Sequence, residues 1–127
     1  MKKEVISTSE APSAIGPYSQ GIKAGNLIFT SGQLPIDPKT GELVNNVEEA
    51  TAQSLKNLKA ILEAAGSSLD MIVKTVIFLR DMNDFAAVNK VYGTFFAENP
   101  PARSTVQVAC LPKGAVLEIE AIAMINE

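Results

Sequence analysis

Apolar and polar residues alternate with a period of two in two stretches near the C-terminal end of the chain. From Arg103 to Val108, Arg103, Thr105 and Gln107 fall on one side, and Ser104, Val106 and Val108 on the other. From Leu117 to Ala123, Leu117, Ile119, Ala121 and Ala123 form an apolar face, while Glu118 and Glu120 share the opposite one. Such alternation predicts half-buried strands. Charges at alternate positions of an otherwise apolar strand must meet water, each other or a ligand. A guanidinium at 103 and a carboxylate at 118, carried on neighbouring strands, would suit a small anionic substrate that must also meet water. These two residues are the first candidates for a site.

The rest of the chain reads in the same terms. Residues 1–7 predict a short edge strand. Two prolines and a glycine in Ala11-Pro12-Ser13-Ala14-Ile15-Gly16-Pro17-Tyr18 predict a loop. Residues 20–23 and 27–31 predict a hairpin around Ala24-Gly25-Asn26, where glycine and asparagine tolerate positive φ. A second loop follows from Gly32 to Gly41. Asn46 is placed to cap a helix, with Glu49 three residues on and Glu48 also near its positive end. Leu55, Leu58, Leu62 and Ala65 share one face of it, and Gly66 is the expected stop. Ile72 to Leu79 is β-branched and almost wholly apolar, which predicts a central strand covered on both sides. Asp81, Asn83 or Asp84 can cap a second helix whose buried stripe is Phe85, Val88, Tyr92, Phe95 and Phe96, ended by Asn99-Pro100-Pro101. A loop around Pro112-Lys113-Gly114 separates the last two strands.

The order β-β-β-α-β-α-β-β predicts an α+β fold, one domain over residues 1–127 with two helices on one face of the sheet. No repeat, linker or low-complexity run divides it. The other sheet face is expected to carry Ile28, Val76, Phe78, Ile122 and Met124. No element remains to cover that face, so burial between copies in a closed homo-oligomer is expected.

Composition narrows the chemistry. The chain has no histidine and a single cysteine, Cys110. Ser-His-Asp and Cys-His catalysis and imidazole- or thiolate-held metals are therefore excluded, leaving Asp, Glu, Lys, Tyr, backbone groups or water to handle protons. The net charge of −3, with no basic cluster, disfavours nucleic-acid binding. No apolar run reaches membrane-spanning length and the N-terminus lacks a signal-peptide core, so neither membrane insertion nor export is expected. Together with the lone cysteine, this predicts a cytoplasmic protein.

Several separated motifs, in order and nearly end to end, resemble the reactive-intermediate (imine) deaminase family, the YjgF-type proteins. They are Ala14-Ile15-Gly16-Pro17-Tyr18-Ser19-Gln20, Thr30-Ser31-Gly32-Gln33, Asn83-Asp84-Phe85 with Val88-Asn89, Pro101-Ala102-Arg103-Ser104, and Leu117-Glu118-Ile119-Glu120-Ala121 after the Pro112-Lys113 loop. The resemblance implies a chorismate-mutase-like fold, a homotrimer with three clefts between subunits, and no metal or organic cofactor. It implies hydrolysis of 2-imino acids such as 2-iminopropanoate and 2-iminobutanoate to 2-oxo acids and ammonia. The family's carboxylate-binding arginine falls on Arg103, its water-positioning glutamate on Glu118 and its pocket tyrosine on Tyr18. Ser31 and Gly32 match its pocket loop, and Thr105 a position offering backbone contacts. Many members carry cysteine where this chain has Thr105, so thiol chemistry at that position is not expected here.

Each of these residues also has a purely structural reading. Arg103 can form an ion pair with Glu118 or Glu120, and Glu118 can lie on a solvated strand face. Tyr18 can cover the sheet edge, and Gly32 can simply permit a turn. Asn89 is expected to pack on its helix or to bond to loop backbone, and Cys110 to be a small buried hydrophobe. Besides the imine deaminase, two other functions fit the same residues: a non-catalytic binder of small carboxylates, and an endoribonuclease or translation inhibitor.

Overall fold

The computed structural model describes residues 2–125. The strands are β1 (Lys3–Ile6), β2 (Gly21–Ala24), β3 (Leu27–Thr30), β4 (Ile72–Leu79), β5 (Ala102–Gln107) and β6 (Leu117–Met124); the helices are α1 (Val47–Ala64) and α2 (Phe85–Phe95). The α+β order is the expected one, and Met1 of the first predicted strand lies outside the described residues. The strands form one sheet in the order β1-β2-β3-β6-β4-β5. All neighbours are antiparallel except β4 and β5, which run parallel and are joined through α2, the kind of crossover a parallel pair requires.

Local chemistry explains the elements. Asn46 accepts a hydrogen bond from the Glu49 N–H at 3.0 Å and starts α1. Gly66, at φ +84°, ends it in a conformation that a side chain would resist. Leu55, Leu58, Ile61 and Leu62 of α1 are fully buried, as are Ile77 and Leu79 of β4 and Leu117 and Ile119 of β6. Each such side chain contributes roughly 1.5–3 kcal/mol by leaving water. Both helices pack on this one face of the sheet.

The opposite face departs from expectation in two places. Ile28 is fully buried beneath the helices rather than on the outer face. The hairpin register pairs Phe29 with Ile22 and Leu27 with Ala24, so Leu27 and Phe29 point outward. With a side-chain period of two, the choice of register decides which set is buried. Strand β4 is not covered on both sides: Val73 is exposed and Val76 half-buried. Phe78 gains partial cover from a small second cluster of Leu34, Leu111 and Ala115. Val5, Phe29, Val106 and Met124 remain exposed, each above 40%. Cys110 is exposed as well, in the loop after β5, and is not the buried hydrophobe expected.

The loop after β3 is fastened from beneath. Asn57, buried in α1, donates through Nδ2 to Leu34 O at 3.1 Å and to Ile36 O at 2.9 Å, and its Oδ1 accepts from Gln53 Nε2. Replacing it takes a donor from both carbonyls; Leu34 O keeps the Ile36 N–H at 2.8 Å, while Ile36 O is left without one. Asn57→Ala is expected to lower unfolding free energy by about 2 kcal/mol, the scale of a buried polar group deprived of its partner. Urea unfolding followed by circular dichroism measures this; a loss below a few tenths would show that water substitutes freely.

Candidate functional site

Three segments of one chain enclose a cleft of about 300 Å³. Pro12, Ser13, Ile15, Tyr18 and Gln20 come from the strap before β2; Ser31 to Leu34 and Ile36 come from the loop after β3; Pro112 and Glu118 complete it. Most of these walls are apolar, and the carboxylate of Glu118 is the one ionisable acid among them.

Glu118 owes its position to strand alternation and to a glycine. Leu117 and Ile119 turn into the core, so Glu118 turns to the outer face opposite Phe78. There its side chain lies directly against Gly32. A Cβ on residue 32 would stand 2.6 Å from Glu118 Cδ and 2.9 Å from Oε2, closer than atoms pack. The bare Cα of Gly32 is thus what lets the Glu118 side chain lie here, and its φ is not among the positive ones. Gln33 locks the two segments together, donating its N–H to Ile119 O at 2.8 Å and accepting from the Ile119 N–H at 3.2 Å. Burial pushes the Glu118 carboxyl above its usual range, and the charge of Glu120, two residues on along the same face, pushes it further the same way. A carboxylate raised in this way is a better proton acceptor near neutrality.

The strap is held by Ser31 and Gln20. Ser31 Oγ donates to Ser19 O at 2.6 Å, and the Ser31 N–H to Gln20 O at 2.9 Å. Tyr18 is about half exposed, and its hydroxyl accepts from the Ile15 N–H at 3.3 Å. Tyr18, Ser31, Gly32 and Glu118 are therefore together in one cleft.

Arg103 and Thr105 are elsewhere. Strand β4 lies between β5 and β6, so the expectation of a guanidinium and a carboxylate on neighbouring strands is corrected. Arg103 pairs with Thr75 on the face beneath the helices, whereas Glu118 is on the other face. Within one chain the two cannot touch the same small molecule.

The surroundings of Arg103 are specific. Its Nη1 donates to Asn89 Oδ1 at 2.8 Å, and its Cζ lies 5.0 Å from the Tyr92 ring centre and 5.4 Å from that of Phe85. Each such cation–π contact contributes about 0.5–2 kcal/mol. Tyr92 is fixed in turn by a 2.7 Å hydroxyl pair with Thr75. Burial pushes the Tyr92 phenol up, with the Thr75 hydrogen bond and the Arg103 charge opposing it. Asn89 holds the guanidinium rather than its own helix or a loop. Nothing local in the sequence marks that role, since Asn89 and Arg103 meet only when α2 packs over β5. No carboxylate among the described residues pairs with Arg103; the ion pair found there joins Lys90 and Glu48. The cross-strand ion pair with Glu118 or Glu120 is therefore absent. Thr105 Oγ1, on the Arg103 side, is buried with no hydrogen-bond partner. Among the described residues, no group of three or more His, Cys, Asp or Glu converges as metal ligands would.

Two substitutions test this geometry. Glu120→Gln removes a negative neighbour, so the Glu118 pKa is expected to fall, while staying above the usual carboxylate range because burial remains. Gly32→Ala is expected to push the Glu118 side chain toward water and lower its pKa as well. Carboxyl ¹³C titration by NMR measures both; an unmoved Glu118 in either variant would contradict the cause assigned to it.

Comparison with known proteins gives a consistent result. A family model described as Endoribonuclease L-PSP matches residues 8–125. A RutC family protein of Pyrococcus horikoshii is 58% identical, over 95% of this chain and 97% of that protein. The 2-iminobutanoate/2-iminopropanoate deaminase of Escherichia coli (strain K12) is 55% identical, again over 95% and 97%. Among solved structures, the YjgF gene product from E. coli has a TM-score of 0.93 at 55% identity, covering 97% of this chain and 99% of that one. E. coli TdcF with bound serine has a TM-score of 0.93 at 50% identity, with the same coverage. The chain belongs to the Endoribonuclease L-PSP family, the YjgF/RidA proteins that its motifs resemble.

Proposed function

We propose that this protein hydrolyses small 2-imino acids, such as 2-iminopropanoate and 2-iminobutanoate, to 2-oxo acids and ammonia in the cytoplasm. We further propose that it works as a homotrimer in which one subunit's Arg103 faces the Glu118 cleft of the next. The observation that carries this reading is a partly buried guanidinium held by an amide and two rings, with no carboxylate among the described residues to neutralise it. Such a site favours an anion, and the free nitrogens of an arginine fit a carboxylate in a bidentate way that lysine cannot copy. The relative of 55% identity named as an imine deaminase, and the serine in TdcF, agree with a small α-nitrogen acid as ligand.

The number three rests on the family resemblance; the need for more than one copy is supported by two features. Arg103 and Glu118 lie on opposite faces of one sheet, so a shared substrate requires a second copy. The outer face also leaves Val5, Phe29, Val106 and Met124 uncovered, the kind of surface that copies of a chain bury against one another.

The chemistry then needs little from the protein. A protonated imine beside a carboxylate is already electrophilic. Arg103 holds the carboxylate; Glu118 orients a water and takes its proton as oxygen bonds to the imine carbon. The same proton is returned to nitrogen, the C–N bond breaks as Glu118 takes the C–OH proton, and a 2-oxo acid and ammonia leave, the proton passing from Glu118 to ammonia or water. The main-chain groups of Gly32 and Thr105 are assigned to the imine nitrogen and the tetrahedral intermediate. Positioning and one general base are enough to speed a hydrolysis that is already quick.

In assays where an amino-acid oxidase generates the imine, Arg103→Ala and Glu118→Gln are each expected to lose turnover while staying folded, and Glu118→Gln to keep binding 2-oxobutanoate. Unfolding and reassembling the two variants together should restore roughly a quarter of wild-type activity, because neighbouring copies of opposite kind rebuild an intact site. No recovery would place both groups in the same subunit's site or remove one of them. Because the base must be unprotonated, activity should fall as pH drops through the raised Glu118 pKa, and Glu120→Gln should move that fall to lower pH. Binding of 2-oxobutanoate by a wild type that leaves imine decay unchanged would make the protein a carboxylate binder instead. RNA cleavage by the wild type but not by Arg103→Ala would support the nuclease reading, which the lack of histidine and the net charge of −3 disfavour.

A further inference from the structure

Residues 12–19 wall the cleft yet belong to no strand or helix. From Ser13 to Tyr18 every residue is exposed. A second hollow of about 180 Å³ lies against the same strap, and Ser13, Tyr18 and Gln20 border both spaces. The bonds within the strap, from the Tyr18 N–H to Gly16 O at 2.8 Å and from the Ile15 N–H to the Tyr18 hydroxyl, shape it but tie it to nothing else. Packing contributes little to where it stands.

Apart from the bond from Ser31 Oγ to Ser19 O, its attachment converges on one side chain. Gln20 is 5% exposed. Its Nε2 donates to Pro12 O at 2.7 Å, Thr8 O at 3.1 Å and Ala11 O at 3.3 Å, and its Oε1 accepts from the Thr8 N–H at 2.7 Å. Its main-chain oxygen accepts from Ser31 N–H, one residue before Gly32. The strap therefore leaves the sheet at the amide of Gln20 and returns to it at the backbone of the same residue. No ionisable group takes part in this grip, so it holds at any pH where the fold persists.

We propose that Gln20 is a positioning residue for the cleft: by gripping both ends of the strap it sets where Tyr18 and Ile15 stand over the part of the substrate that does not react. The inference rests on the deaminase reading for its kinetic form. Glu118 is placed by a different set of contacts, Gly32 and the Gln33–Ile119 bridge. Loosening the strap should therefore weaken binding and spare the chemical step.

Gln20→Met keeps the length and removes every side-chain hydrogen bond; Gln20→Glu keeps the acceptor for Thr8 and loses the donors. Both are expected to show a roughly tenfold rise in KM with kcat within about twofold, the pattern of lost uniform binding. Independently of activity, chymotrypsin should cut after Tyr18 several-fold faster in the folded variants than in the wild type. A lower melting temperature with wild-type KM and wild-type cleavage would overturn the proposal, as would failure of both variants to fold, since Gln20 would then serve the fold and not the cleft. A wild type inactive on imines would sink the deaminase reading alone, with the cleavage rates still deciding the role of Gln20.

Discussion

A positive charge drawn partly out of water has to be compensated by something, and in this protein that something is incomplete. Arg103 receives one amide oxygen and two aromatic faces, all from α2, and no carboxylate among the described residues. These contacts orient the guanidinium and lower the cost of desolvating it without cancelling its charge. The sheet imposes the second half of the problem. Because β4 intervenes and the alternation puts the two side chains on opposite faces, the Glu118 carboxylate cannot reach Arg103 within the chain. Guanidinium and carboxylate are separated by the fold that places them.

Much of this was legible in the sequence. The strands and helices follow from periods of two and 3.6 and from punctuation such as Asn46 and Gly66, which act through local geometry. The outward acids that alternate with Leu117, Ile119 and Ala121 are likewise a local statement. What was not legible depends on register and on packing between distant segments. The sequence points Ile28 rather than Phe29 outward because nothing inside a four-residue strand reveals which of two faces its partner will choose. The neighbouring-strand picture of Arg103 and Glu118 failed because chain order is not sheet order. The grip of Asn89 on Arg103 and that of Gln20 on the strap join residues that meet only in the folded chain. Gly32 looked like a turn residue, and its real constraint is the side chain that lies on it.

The contact between Gly32 and Glu118 joins the architecture to the chemistry. A carboxylate brought against backbone loses part of its water shell, which disfavours its charged form, and Glu120 on the same face adds repulsion. Strand alternation forces that second acid to share the face, so the pattern that exposes Glu118 also supplies its modifier. The loop carrying Gly32 cannot drift away and relieve the crowding, because Gln33 bonds to Ile119 on one side and Asn57 holds Leu34 and Ile36 from below. Any widening of the gap would break bonds in a place where their partners are buried. The carboxyl is therefore kept crowded by a rigid frame rather than by a flexible lid. The opposite wall, the strap, belongs to no strand or helix and hangs instead on the hydrogen bonds of Gln20 and Ser31.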